Sequence, residues 1–396
     1  MSLWKKIRLG DACTTNVSTY SPKEKWSFVN YLDTGNIVDN KIDSIQYIDT
    51  EKEKLPSRAR RKVRKNSIIY STVRPNQRHF GIIKEQPNNF LVSTGFTVID
   101  VNTSILDADF LYYRLSQNDL VETLHSIAEQ STSAYPSIKA SDLEDLEIAV
   151  PDIDTQVSIG RFLSNLEEKI KCNEEINDNL LQQAIVLYRE LIANNRTKGC
   201  IGDYCKVKSG FAFKSQWWRN EGVPVIKIGS INQDQLNLSD CSFVSEDKIS
   251  IASDFTVSGG DVLIAMTGAT IGKFTLVPKT TKTILVNQRV GKFFLGDNPI
   301  SRVPFIYCTL KQPDVIAEFI NRGQGSAQPN ISASDIMNIP CAMPNFDVIN
   351  KFNEKTSPLF ELIINNQYEN TLLAQLRDNL LPRLMSGEVD VSDLEL

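Results

Sequence analysis

The chain has 396 residues, 41% of them hydrophobic and 23% charged, enough for two or three domains with cores of their own. No apolar run approaches the ~18 residues of a membrane span, the opening MSLWKKIRLGD lacks the apolar core of a secretory signal, and seven scattered cysteines fit reduced cytoplasmic thiols better than a disulfide framework. The net charge of −5 argues against a nucleic-acid binder until it is divided: residues 154–195 carry −3 and residues 346–396 carry −5, which leaves +3 for everything else.

Residues 3–9 lead, as a short helix or strand, to Gly10-Asp11. Residues 28–37, FVNYLDTGNI, alternate apolar and polar and end in a Gly-Asn turn, which predicts a strand and a turn. Residues 51–65 are dense in base, with Arg58, Arg60, Arg61, Lys62, Arg64 and Lys65; this is either a solvated helix or loop or a surface that follows phosphates. Strands are predicted at 67–70, 80–83 and 96–101. The loop joining the first two holds Arg74, Asn76, Gln77, Arg78 and His79, and Arg, Asn and Gln are the side chains that pair bidentately with guanine and adenine edges. A helix over 110–125 follows, and then a Pro-containing loop, a helical turn and a strand close the unit.

A long helix is predicted over 154–192. A 4-3 spacing selects Ile159, Leu163, Leu166, Ile170, Asn173, Asn177, Leu180, Ala184, Leu187 and Leu191, a heptad seam with two asparagines at its centre. The polar stretch 194–199 ends it, and the chain then starts again. Residues 200–214 echo the Gly-Asp opening, 222–231 echo the first strand and turn, 259–277 echo the two strands and their loop, and 285–295 echo LVSTGFTVIDV. Residues 133–154 align without a gap on 326–347, with ten of the 22 positions identical. The same 193-residue offset regenerates the seam in 347–385 as Phe352, Thr356, Leu359, Ile363, Asn366, Asn370, Leu373, Arg377, Leu380 and Leu384. The chain is a tandem duplication of a globular unit and a helix. The skeletons agree and the loops differ: RPNQRH in the first half becomes GATIGK in the second.

Two copies in one chain can pack about a pseudo-twofold axis, as two protomers would, which makes the helices antiparallel. The seam then sets Asn173 opposite Asn370 and Asn177 opposite Asn366, because a slipped register would strand an amide against leucines. About 33 residues of seam at ~1.5 Å each make a spacer of ~50 Å. Two divergent readers on such a ruler suit a bipartite, asymmetric site on duplex DNA, whose turn advances ~34 Å.

With these marks the sequence resembles, over essentially its whole length, the specificity subunit of type I restriction-modification enzymes. The resemblance rests on the doubled Gly-Asp openings, the segments GDVLIAMTGATIGK and QPNISASDI, the junctions VPDIDTQ and MPNFDVI, and the terminal LLPRLMSGEVDV. It implies an α+β fold: two pseudo-twofold-related mixed α/β target recognition domains separated by two long antiparallel helices in a coiled coil. The first recognition domain would be 1–152, the first spacer helix 153–195, the second domain 196–345, and the second spacer helix with its tail 346–396. It also implies partners: double-stranded DNA, two modification (methyltransferase) subunits and restriction (translocase and nuclease) subunits, with no membrane. S-adenosylmethionine, ATP and Mg belong to those partners, and no cofactor belongs to this chain. The modification and restriction activities could also sit in one fused partner.

Catalysis within the chain finds little support. There is no Gly-rich S-adenosylmethionine loop with an Asn/Asp-Pro-Pro-aromatic motif, and Asn298-Pro299-Ile300 falls short of one. No Gly-x-x-x-x-Gly-Lys-Ser/Thr loop is present. Pro151-Asp152 with Glu167 and Lys169 imitates a nuclease signature, but its Glu and Lys fall on the predicted coiled-coil helix rather than a sheet. His79 and His125 are the only histidines, and Cys200 with Cys205 is an isolated pair, so no metal centre is expected. The alternative is a protein-binding adaptor built on the same helices. Under the DNA reading, Arg58, Arg60, Arg61, Arg64 and Lys65 serve phosphates in the first unit, and Arg74, Asn76 and Arg78 serve bases. In the second unit the candidates are Lys214, Gln216, Trp217, Arg219, Thr267, Thr270, Lys273, Gln288 and Arg289. The repeated segments 133–138 and 326–331 are expected to shape the fold or dock a partner.

Overall fold

The computed structural model describes residues 4–131, 135–195, 197–323 and 329–394. The chain divides into two compact units, one of residues 1–168 with 374–396 and one of residues 169–373. Residues Ser133, Ala134, Ser326, Ala327 and Gln328 of the repeated segments, and Arg196 of the polar linker, lie outside the described residues.

The first unit packs two four-stranded sheets. One runs in the order Cys13–Thr15, Phe96–Val101, Ile68–Ser71, Phe80–Ile82, all antiparallel. The other runs Gln46–Asp49, Phe28–Leu32, Phe90–Ser93, Ala59–Arg61, with a parallel pairing at its centre. β-branched and aromatic side chains dominate the central strands Phe28–Leu32, Ile68–Ser71 and Phe96–Val101. Their inner faces meet in a core that includes Leu32, Ile69, Val92, Phe96 and Val98. The opening strand, Lys5–Arg8, pairs with Glu147–Val150 and so ties the start of the chain to the foot of the long helix.

Two expectations need correction here. The basic segment 51–65 is neither helix nor simple loop, because Ala59–Arg61 is a strand that pairs with Phe90–Ser93 across a register shift. The single helix over 110–125 is two helices, Ala108–Leu115 and Asn118–Glu129. The ladder breaks at Ser116, whose hydroxyl donates to the Tyr113 carbonyl at 2.8 Å and whose own carbonyl accepts from the Arg78 guanidinium at 2.9 Å. The same break recurs in the second unit between Val303–Leu310 and Pro313–Gly323, and the carbonyls left over at such a helix end need outside donors.

The second unit repeats this plan. Lys206–Ser209, Val290–Phe294, Val262–Ala265 and Phe274–Leu276 form the antiparallel sheet. The other sheet runs Trp218–Arg219, Ser242–Val244, Val223–Ile226, Ile284–Val286, Thr256–Val257. The parallel register Tyr31↔Leu91 of the first unit returns as Val225↔Leu285. Trp218–Arg219 is an added edge strand with no counterpart in the first sheet.

The long helices are Ile153–Asn194 and Phe346–Met385. Every seam position of both is buried or half-buried. Within the second unit Asn173 donates to the Asn370 amide oxygen at 2.8 Å and to Glu369 at 2.7 Å, and Asn366 donates to Asn177 at 2.9 Å. The helices therefore run antiparallel there, in the register that the duplication predicts. Thr356, fully buried in the seam, satisfies its hydroxyl on the Phe352 carbonyl one turn back at 2.7 Å. In the first unit Arg377 reaches Glu167 at 3.4 Å. Burial pushes the Glu167 carboxyl above its usual range, and Arg377 and the Tyr113 hydroxyl pull it back.

Replacing Asn366 by Leu strands the Asn177 amide in the seam and should cost about 1–3 kcal/mol of stability. Replacing Asn177 by Leu as well should recover most of it in urea unfolding, since both polar groups are then gone. A double variant as unstable as the single one contradicts this account. Glu167 gives a pH-dependent test. A carboxyl whose folded pKa lies above its unfolded value contributes stability below the unfolded value, and that stability is lost as pH rises through the folded value. Removing Arg377 raises the folded value further. Arg377→Ala should therefore destabilise by about 1–3 kcal/mol near neutral pH and by clearly less near pH 5. A penalty independent of pH would show that the pair carries no charge.

Candidate nucleic-acid interface

In the first unit four segments meet at one end of the antiparallel sheet. Thr72 donates its backbone N–H to the Gly95 carbonyl at 2.8 Å, Arg74 to that of Pro136 at 3.0 Å, and Ile138 to that of Thr72 at 2.8 Å. The N–H of Thr94 is held by the Arg58 carbonyl at 2.8 Å. Arg58, Arg74 and Tyr135 are gathered around this end, all exposed. The Arg74 guanidinium lies 5.3 Å over the Tyr135 ring, and Asn76 is exposed on the turn that follows. Tyr135 was not singled out in sequence. Its signal was there, since it stands against Gln328 between the identical Ser-Ala and Pro of the two repeats.

The other basic residues fall elsewhere. Arg64 donates to Asp100 at 3.0 Å. Asp100 lies near the far end of the strand Phe96–Val101, five residues from Gly95 and roughly 17 Å away at ~3.3 Å per residue, so Arg64 and the adjacent exposed Lys65 are apart from Arg74. Arg60 is half-buried, with Nε on the Ser57 carbonyl at 3.4 Å. Arg61 is half-buried too; its Nε has no partner among the described residues, and burial lowers its pKa. Arg78 is fully engaged. It donates to Asp39 at 2.7 Å, to the Ser116 carbonyl at 2.9 Å and to Asn118 at 3.3 Å, and it lies 5.1 Å over the Phe80 ring.

The second unit builds the same end from different side chains. Met266 donates its N–H to the Arg289 carbonyl at 3.0 Å, Gly268 to that of Pro329 at 3.0 Å, and Gln288 to that of Phe211 at 3.0 Å. This gathers the loop with Thr267 and Thr270, the exposed Gln288 and Arg289, and the segment that begins at Phe211. The hydroxyls of Thr267 and Thr270 are buried without a partner among the described residues. Lys273 donates to Asn232 at 3.1 Å. Trp217 is half-buried and stacked on Phe211 at 6.3 Å, with the ammonium groups of exposed Lys214 at 5.4 Å and of Lys248 at 4.9 Å over its ring. Lys227 sits 3.8 Å over Trp218. Gln216 and Arg219 are exposed on the same segment. Sequence reasoning missed Lys227 and Lys248, which reach these rings only through the sheet.

Each loop is anchored in its own way. Arg78 braces the first loop ionically. Its counterpart Gly272 lies against Phe319, to which an added Cβ would come within 3.1 Å, and the neighbouring Ile271 fills the space over Gly323. Tyr307 and Lys311 of the second unit both hold Asp234, at the tip of the hairpin beside that loop. Among the described residues no cluster of His, Cys, Asp or Glu suits a metal ion, and no helix is long and apolar enough to cross a membrane.

The architecture is thus a duplicated mixed α/β fold, each copy carrying one divergent loop cluster and one long helix. A family model, the type I restriction modification DNA specificity domain, matches residues 1–182 and again residues 195–376, and the chain belongs to that family. It is similar to the type I restriction enzyme HindI specificity subunit of Haemophilus influenzae, with 25% identity over 468 residues that cover 98% of this chain and 100% of the relative. The MjaIX specificity subunit of Methanocaldococcus jannaschii is 24% identical over 355 residues, 83% of this chain and 79% of the relative. In fold the chain is like the crystal structure of a type I restriction-modification system S subunit from M. genitalium, at 18% identity and a TM-score of 0.57 over 97% of this chain and 96% of that one.

Removing the Arg78 brace should loosen the first unit. Arg78→Ala should lower its stability in urea unfolding by about 1–2 kcal/mol, since the ion pair is only partly shielded but two further acceptors lose their donor. An unchanged midpoint would show that the brace is dispensable.

Proposed function

We propose that the chain is the DNA sequence-specificity subunit of a type I restriction-modification enzyme. Its two recognition domains, 1–152 and 196–345, read two different short half-sites of one bipartite target on duplex DNA. The spacer helices, 153–195 and 346–396 with the tail, set the gap between the half-sites and offer the platform on which two modification subunits and the restriction subunits assemble. The chain itself is non-catalytic and works in the cytoplasm. Methyl transfer and DNA translocation or cleavage, with their S-adenosylmethionine, ATP and Mg, belong to the partners.

The single observation that carries this reading is the double match to a DNA specificity domain on a repeated skeleton whose loops differ. A shared skeleton supports the same task twice, and divergent loops support two different half-sites. Exposed Arg58, Arg74, Lys214, Gln288 and Arg289 surround those loops, and cationic and amide side chains are the groups that hold phosphates and read base edges.

The test is a base-resolution methylome of a host that carries the modification subunit, with this gene present and deleted. One asymmetric two-part adenine motif of fixed gap should vanish on deletion. An unchanged methylome, with the complex expressed and assembled, contradicts the reading.

A further inference from the structure

We infer that the asymmetry of the target is written by an arginine–glycine exchange between the two units: Arg74 reads a guanine in the first half-site, and Arg289 reads a guanine in the second. The inference rests on the DNA-reading function proposed above and assigns the readers within it.

The backbone hydrogen bonds establish which positions correspond. Thr72 to Gly95 in the first unit matches Met266 to Arg289 in the second, and Arg74 to Pro136 matches Gly268 to Pro329. Arg74 therefore stands where the second unit has Gly268, and Arg289 stands where the first has Gly95. Each unit carries one arginine at this pair of sites, on opposite members of the pair.

The backbone at the loop position says what an arginine there is for. Gly268 has φ +74 and Arg74 has φ +48, both left-handed. Glycine adopts that conformation freely, whereas a side chain with a Cβ does so at a cost. The fold alone favours glycine at this site, as the second unit shows, so the arginine has to be accounted for by what its side chain does. Arg78 shares the same backbone at φ +57, but its guanidinium is consumed inside the unit by Asp39 and Ser116. Arg74 has no carboxylate partner among the described residues; it is exposed and rests on the Tyr135 ring. Arg289 is likewise exposed without a carboxylate partner among the described residues. A planar guanidinium with its donor fork open matches the two acceptors, O6 and N7, that guanine presents in the major groove.

The test compares methylomes of the assembled enzyme carrying the wild-type chain, Arg74→Gly, Arg74→Lys or Arg289→Gly, with thermal unfolding of each chain. Arg74→Gly should melt at or a few degrees above the wild type, because the backbone is relieved. It should lose about tenfold to hundredfold discrimination at one guanine of one half-site and leave the other half intact. Arg74→Lys should lose part of that discrimination, because an ammonium reaches the same acceptors without the planar fork. Arg289→Gly should relax one guanine of the opposite half-site. A lowered melting temperature in Arg74→Gly makes the arginine structural and overturns the inference. So does a bipartite motif that persists unchanged in the glycine variants. If the wild type itself writes no bipartite motif, the underlying functional reading falls, and the inference falls with it.

Discussion

The paired asparagines in the helix seam are the constraint on which the rest depends. An amide among leucines has few registers in which its hydrogen bonds are met, and a slip of one heptad leaves it unpaired. Asn173, 1% exposed, spends both amide hydrogens on the facing helix. With that register set, the second helix brings Asn353 to the mixed α/β core of the second unit. There Asn353 accepts from the Phe305 N–H at 2.9 Å and donates to the Tyr204 hydroxyl at 3.0 Å. Ala184, Tyr188, Phe352 and Phe360 belong to the same hydrophobic cluster as the strands. The helices are walls of the core as well as spacers.

The first unit solves the same problem with more polar groups. Gln156, 1% exposed, accepts from the Asp107 N–H at 3.0 Å and donates to the Pro151 carbonyl at 2.9 Å, locking the foot of its helix to the helix that follows the sheets. Where the seam offset puts Ala184 in the second unit, the first has Arg377 with Glu167 beside it. Two halves of common descent therefore keep one geometry while differing in what fills it, and the loop ends show the same pattern at the surface.

The duplication, the seam and the asparagine register were legible because they are one-dimensional patterns, a period and an offset that need no partner from elsewhere. What stayed hidden depends on residues distant in sequence. The helix break at Ser116 belongs to the skeleton, since it recurs between Leu310 and Pro313, and its Arg78 anchor in the first unit comes from 38 residues away. The strand Ala59–Arg61 escaped because arginines fill two of its three positions and only Ala59 is fully buried. Arg74 and Arg78 look alike in RPNQRH, and only Asp39, Ser116 and Asn118 separate a brace from a free side chain. Arg64 and Arg58 sit in one basic run, but Asp100 holds the first at the far end of the sheet. Composition could collect the candidate interface; only tertiary partners could sort it.

The different anchors beneath the two loops bear on how new specificities can arise. A crossover between the duplicated halves that exchanged the loops alone would set an arginine at Gly272 against Phe319, and in the other half would leave Asp39 and the Ser116 carbonyl without their donor. Both hybrids would be penalised before they met any DNA. An exchange that carried strand, hairpin and following helix together would keep each loop on its own support. The unit of inheritance for sequence choice is therefore the whole globular half, and recombination breakpoints that survive selection should fall in the repeated segments and helices, outside the loops.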